Sequence, residues 1–183
     1  QPFFLFLHTY QVHGPYAPPA PYNGTFSTAA EPYVSLDPMA WLEPDEVCRP
    51  VPAEHHSGLV SLYDGEILYT DQELIGPLVE LLKELELYDD TLLIVTSDHG
   101  EEFGEHGCWT HGANLYDETL HVPLVIRFPG GAHAGTEVAE VVGLVDVLPT
   151  VLAATAVDPG SLDAHGRDLA AVLRGEPAGE TVA

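Results

Sequence analysis

The chain has 183 residues, enough for one sizeable hydrophobic core and short of two ordinary domains. It carries 29 Asp and Glu against 5 Lys and Arg, a formal net charge of −24, which argues against nucleic acid and anionic membranes as partners. Its 45% apolar content argues against disorder, and no apolar run is longer than a strand, so no membrane span is predicted. An anionic substrate would be repelled by such a surface, so a bound cation or a cluster of histidines has to reverse the sign at any anion site. Cys48 and Cys108 show no CxxC spacing, and no disulfide framework or zinc knuckle is indicated. The sequence opens at Gln1, inside an apolar run, so the start is read as a cut and no targeting segment can be read from it.

In chain order, Pro2–Leu7 is continuous in apolar and aromatic residues and is expected to be a fully buried strand. It runs into His8 and His13, two histidines just past a strand end. His8 is read as packing against that end, whereas His13, followed by Gly14-Pro15 in a loop, is read as functional. Residues 17–56 are proline-rich and expected to be a long loop, of the kind that often covers an active site. From Ser57 to Leu87 apolar residues such as Leu59, Tyr63, Ile67, Leu81 and Leu85 recur at helical spacing, with a kink expected at Gly76-Pro77. Thr91–Thr96 and Val122–Arg127 read as strands, Glu140–Val145 as a further short strand, and Val147–Ala154 and Leu169–Leu173 as short helices. Helix alternating with strand is the α/β rhythm. The fold class expected is therefore α/β, with a mixed, mostly buried sheet flanked by helices.

The stretch with the most chemistry is Ser97-Asp98-His99-Gly100, at the end of the second apolar strand. Ligands bind at the carboxyl ends of strands in open α/β sheets, and Asp98 and His99 are an oxygen and an imidazole ligand for a divalent cation. Side chains of consecutive strand residues point to opposite faces, so both can reach one ion only if the backbone turns, which Gly100 makes easier. Two ligands are fewer than the three or more that a catalytic metal takes from protein. His106, His111 and His121 follow. His111, between Thr110 and Gly112 in a polar loop, is read as functional; His106 as a supporting residue or a turn; His121 as structural. No Ser or Cys stands in a nucleophile setting.

Three stretches in order, Phe3–Tyr16, Leu93–Glu101 and Gly104–Leu124, together with Gly143–Thr150, resemble the sulfatase family of the alkaline-phosphatase superfamily. The resemblance implies that Asp98 and His99 are the family's metal-binding pair and that His13 contacts the sulfate ester. It also implies that His111, where many sulfatases place a lysine, binds the ester oxygens and assists the leaving group. The metal implied is calcium, with manganese or zinc as alternatives. The Cys-x-Pro-x-Arg or Ser-x-Pro-x-Arg motif that yields formylglycine and the N-terminal Asp pair are both absent from these residues. The chain is thus expected to be a single partial catalytic domain spanning residues 1–183, with formylglycine in a missing N-terminal part and no turnover on its own. The activity implied is hydrolysis of a small-molecule or glycan sulfate ester. The alternatives are hydrolysis of a phosphate or phosphonate ester, or a non-catalytic fragment that binds anions or a partner. Oligomeric state is not legible.

Overall fold

The computed structural model describes residues 2–26, 51–158 and 164–176. They fall into two compact units, Gln1–Leu82 with His99–Val122, and Lys83–Asp98 with Pro123–Ala183.

The first unit is built on helix α1, Ala53–Thr70. One face of α1 buries Leu59, Leu62, Gly65 and Glu66. Leu59 and Leu62 join Tyr16, Val51 and Trp109 in the core, with Tyr63 and Phe103 packed against it. Gly65 is required by close approach: a Cβ there would lie 2.7 Å from the Tyr22 carbonyl oxygen. The helix runs through a π-turn, Asp71–Ile75, into α2, Gly76–Glu84. The kink expected at Gly76-Pro77 therefore exists as a widened turn just before Pro77. Proline has no N–H to give and its ring crowds the carbonyl four residues back, so the preceding turn opens and the Gly76 N–H bonds the Asp71 carbonyl instead.

A short antiparallel hairpin completes this unit. β2, Glu102–Phe103, pairs with β3, Trp109–Thr110, in the register Glu102↔Thr110 and Phe103↔Trp109. The turn between them uses Gly104 and Gly107 at φ 95° and 84°, conformations that cost glycine nothing. Helix α3, Asp117–Leu120, then packs so closely that a Cβ on Gly100 would lie 2.0 Å from the Glu118 carbonyl oxygen.

In the second unit β1, Leu93–Thr96, pairs antiparallel with β4, Leu124–Arg127. Arg127 lies 3.7 Å over the Tyr88 ring and donates to the Tyr88 and Thr91 carbonyls, tying β4 to the turn before β1. Helix α4, Val147–Thr155, packs on α5, Leu169–Leu173. The buried Asp146 carboxylate holds the entry to α4 by accepting from the backbone N–H groups of Gly143 and Arg167.

The α/β class is as expected, and several details differ. Pro2–Leu7 forms no strand and is exposed, with Phe4 at 82% and Phe6 at 78%. An apolar run becomes a buried strand only when other strands take up its backbone groups, and none of the described strands does. Glu140–Val145 forms no strand either; its end belongs to a 3-10 turn, Leu144–Asp146. The described sheets are two two-stranded antiparallel ladders. Within the proline-rich stretch, Tyr22–Gly24 is a 3-10 turn and Ala53 already starts α1, while residues 27–50 lie outside the described residues. Cys108 is buried and disulfide-bonded, which the two-cysteine count did not indicate; Cys48 lies outside the described residues. Among the described residues no helix is long and apolar enough to cross a membrane.

Candidate functional site

The hairpin explains how the site forms. With Glu102 opposite Thr110, the residues just outside the ladder, Glu101 and His111, come together at its open end. The His111 ring nitrogen Nδ1 lies 2.9 Å from Glu101 Oε1. The other oxygen, Oε2, accepts a 2.5 Å hydrogen bond from the Tyr16 hydroxyl. Burial first, then the neighbouring Glu101 carboxylate, push the Tyr16 phenol far above its ordinary range, so it stays protonated and serves as a donor.

Tyr16 belongs to the loop that carries His13. That loop is clamped from α1 by Glu66, whose carboxylate accepts from the backbone N–H of Val12 and of Ala17, each at 2.7 Å. Val12 sits at φ 78°, a left-handed conformation that costs a β-branched residue about 1–3 kcal/mol, and its bond to Glu66 helps to hold it there. Burial raises the Glu66 carboxyl above the usual carboxylate range, opposed by the Ala17 N–H and the charge of His13.

The loop and the hairpin bring three of the four expected site residues together. The ring centroids of His13 and His111 are 5.2 Å apart, and those of His111 and His99 are 4.0 Å apart. The three rings share one feature. His13 Nδ1 lies 2.7 Å from the Gly14 carbonyl oxygen, His99 Nδ1 lies 2.8 Å from that of Gly100, and His111 Nδ1 meets the Glu101 carboxylate. Carbonyl and carboxylate oxygens only accept, so in each ring Nδ1 carries the proton and, in the neutral form, Nε2 carries the lone pair. This is the arrangement in which histidine presents Nε2 to a metal or a substrate.

Asp98 is exposed and follows the end of β1, in the second unit, while His99, its neighbour in sequence, belongs to the first. The donor types, one carboxylate and one imidazole with Nδ1 already committed, fit a divalent cation. The donor number does not complete a site: among the described residues no group of three or more His, Cys, Asp or Glu could hold a metal ion.

Three further histidines have other work. His106 stacks on Tyr116 with ring centroids 3.6 Å apart and lies 3.7 Å from Glu102 and 3.5 Å from Glu118, a supporting position. The exposed His8 contacts the Tyr10 ring. His121 closes α3 through its backbone. Sequence reasoning missed Tyr16, Glu66 and Glu101. The available signal was the pair of glycines bracketing a turn between Phe103 and Trp109, which predicts a hairpin and hence the pairing of Glu101 with His111.

The sulfatase family model matches residues 1–157. The chain belongs to the sulfatase family. Among curated relatives, the multifunctional alkaline phosphatase superfamily protein PehA of Trinickia caryophylli is 32% identical over 180 residues, covering 83% of this chain and 34% of PehA. An N-acetylglucosamine-6-O-sulfatase of Bacteroides thetaiotaomicron is 36% identical over 114 residues, covering 62% of this chain and 20% of the relative. Among solved structures, the phosphonate monoester hydrolase SpPMH from Silicibacter pomeroyi superposes with a TM-score of 0.62 at 33% identity, over 81% of this chain and 27% of SpPMH. The chain thus spans about a third or less of the length of the proteins it matches.

Proposed function

We propose that these residues form part of the catalytic domain of a sulfuric ester hydrolase, acting on a small-molecule or glycan sulfate ester. The observation that supports this best is the cluster of His13, His99 and His111, each anchored through Nδ1, in a molecule with only 5 Lys and Arg. Protonated histidines supply positive charge for an anionic ester. His13 binds the ester oxygens. His111 binds them as well and, as the imidazolium, passes its Nε2 proton to the leaving oxygen and is left neutral with Nδ1–H on Glu101. Asp98 and His99 hold a divalent cation, calcium with manganese or zinc as alternatives, together with donors outside this chain. The chemistry such a cation supplies when bound is polarisation of the ester oxygens. The nucleophile, a formylglycine in this reading, also comes from outside the 183 residues, because neither motif that yields it is present. Both compact units belong to one catalytic domain in this reading.

The test is to express the full-length parent protein and assay an aryl sulfate. His111→Ala is expected to lower kcat/KM by roughly 10²–10⁴, the range for losing a general acid. Unchanged turnover would refute the His111 assignment. The isolated chain is expected to be inactive, and metal-dependent sulfate release from it would overturn the partial-site reading. A second reading, hydrolysis of a phosphate or phosphonate ester, is favoured by the likeness to SpPMH. The ratio of kcat/KM for an aryl sulfate to that for an aryl phosphonate monoester in the parent decides between them.

A further inference from the structure

Glu101 enters the reaction written above only as the oxygen on which His111 Nδ1 rests, and its own surroundings are closely specified. Its side chain is 6% exposed, so neither of its bonds competes with bulk water. Its two oxygens are divided between two donors, His111 Nδ1 on Oε1 and the Tyr16 hydroxyl on Oε2. Tyr16 is itself 1% exposed and packs edge-on against Tyr63, with ring centroids 5.5 Å apart. Tyr16 is therefore immobilised by the core, and the carboxylate it holds is immobilised with it. The second clamp, Glu66, fixes the ends of the same loop at Val12 and Ala17.

We propose that Glu101 is a positioning residue for His111. Held by Tyr16, its carboxylate keeps the proton of His111 on Nδ1, sets the tilt of the ring, and ties it to the loop that carries His13. A ring without such an acceptor can turn about its own bonds and can place its proton on either nitrogen. With the acceptor in place, Nε2 is left as the nitrogen that meets the substrate. Assigning Nε2 to an ester rests on the hydrolase reading above; the tautomer and the orientation do not.

The experiment uses the full-length parent protein labelled with 15N-histidine, the His111 signals being assigned by their loss in His111→Ala. Long-range 1H–15N correlation, at a pH where imidazoles are neutral, reads which nitrogen of His111 carries the proton. The Nδ1–H form is expected in the wild type. Glu101→Leu keeps the bulk and removes both acceptors, and the Nδ1–H signature is expected to be lost. Glu101→Gln restores one acceptor for the ring, while its amide N–H can donate to the Tyr16 hydroxyl, and the signature is expected to return. Melting curves show which variants are folded. A wild-type His111 in the Nε2–H form overturns the proposal, and that measurement holds even if Glu101→Leu fails to fold. A folded Glu101→Leu chain with an unchanged tautomer overturns it too. Inorganic sulfate is titrated separately, at a pH where imidazoles are protonated and Nε2 can donate, with binding expected to weaken about tenfold or more in Glu101→Leu, as for a misplaced binding group. A tautomer that follows Glu101 in a chain that never binds sulfate supports the positioning role and counts against the ester site.

Discussion

His13 and His111 stand out in the sequence, but the residues that decide what they can do are buried glutamates and a glycine that do not. Gly100 is the clearest case. It sits between the cation-ligand candidate His99 and the histidine-holding Glu101, with the Glu118 carbonyl oxygen 2.0 Å from where a Cβ would be. Gly100→Ala must push α3 away, and overpacking of this kind costs about 1–3 kcal/mol. A matching drop in melting temperature is expected, and an unchanged one would show that α3 yields freely. Glu66 carries a pH dependence with a definite sign. Its carboxyl is raised in the folded state by burial, so the folded chain holds that proton more tightly than the unfolded chain. Its contribution to stability is therefore largest below the ordinary carboxylate pKa and falls as the pH rises through the window up to the raised value. His13 and Tyr16, the titratable groups coupled to it, lie in the loop it clamps. Measured by denaturant unfolding, the wild type is expected to lose stability relative to Glu66→Gln as pH rises through that window. A flat or opposite difference would mean that Glu66 is not held above its ordinary pKa.

The long helix shows at the element scale how far a hydrophobic period carries. The spacing from Ser57 onward predicts a helix with an apolar face, and α1, the π-turn and α2 bear out the helix and its break at Pro77. The face itself is shifted. Ile67, Leu81 and Leu85 are exposed, while Leu62 and Glu66 point inward with Leu59. A period locates a stripe only to within a residue or so, and a glutamate inside it is discounted until the N–H groups that receive it are visible. Leu59 is 0% exposed at the centre of the core formed by Tyr16, Leu62 and Trp109. Leu59→Ala is expected to cost about 2–5 kcal/mol, read from a denaturation midpoint. Because Tyr16 shares that core, the same variant should disturb the Glu101–His111 pair at a distance. The hairpin of β2 and β3 was legible only through its turn glycines, Gly104 and Gly107, since two residues per strand are too few for alternation to register.

For the molecule as a whole, the charge of −24 sets the conditions under which everything else works. Like charges at this density repel, and salt screens them: the Debye length falls from roughly 30 Å at 0.01 M to 3 Å at 1 M. The melting temperature is expected to rise over that range, and a flat or falling curve would mean that repulsion is not a significant term. By itself the sequence determined the family and the α/β class, and it named Asp98, His99, His13 and His111 as candidates, because those depend on residue type in order along the chain. Tertiary structure alone decided that His13, His99 and His111 meet and that each commits Nδ1 to an oxygen. It alone showed that Glu101 bonds His111 and Tyr16, and that Glu66 bonds Val12 and Ala17 of the loop that carries His13. The physical reason is the same throughout. A buried carboxylate is explained by the donors around it, and those donors come from Val12, Tyr16, Ala17 and His111, brought to α1 and the hairpin only when the chain folds.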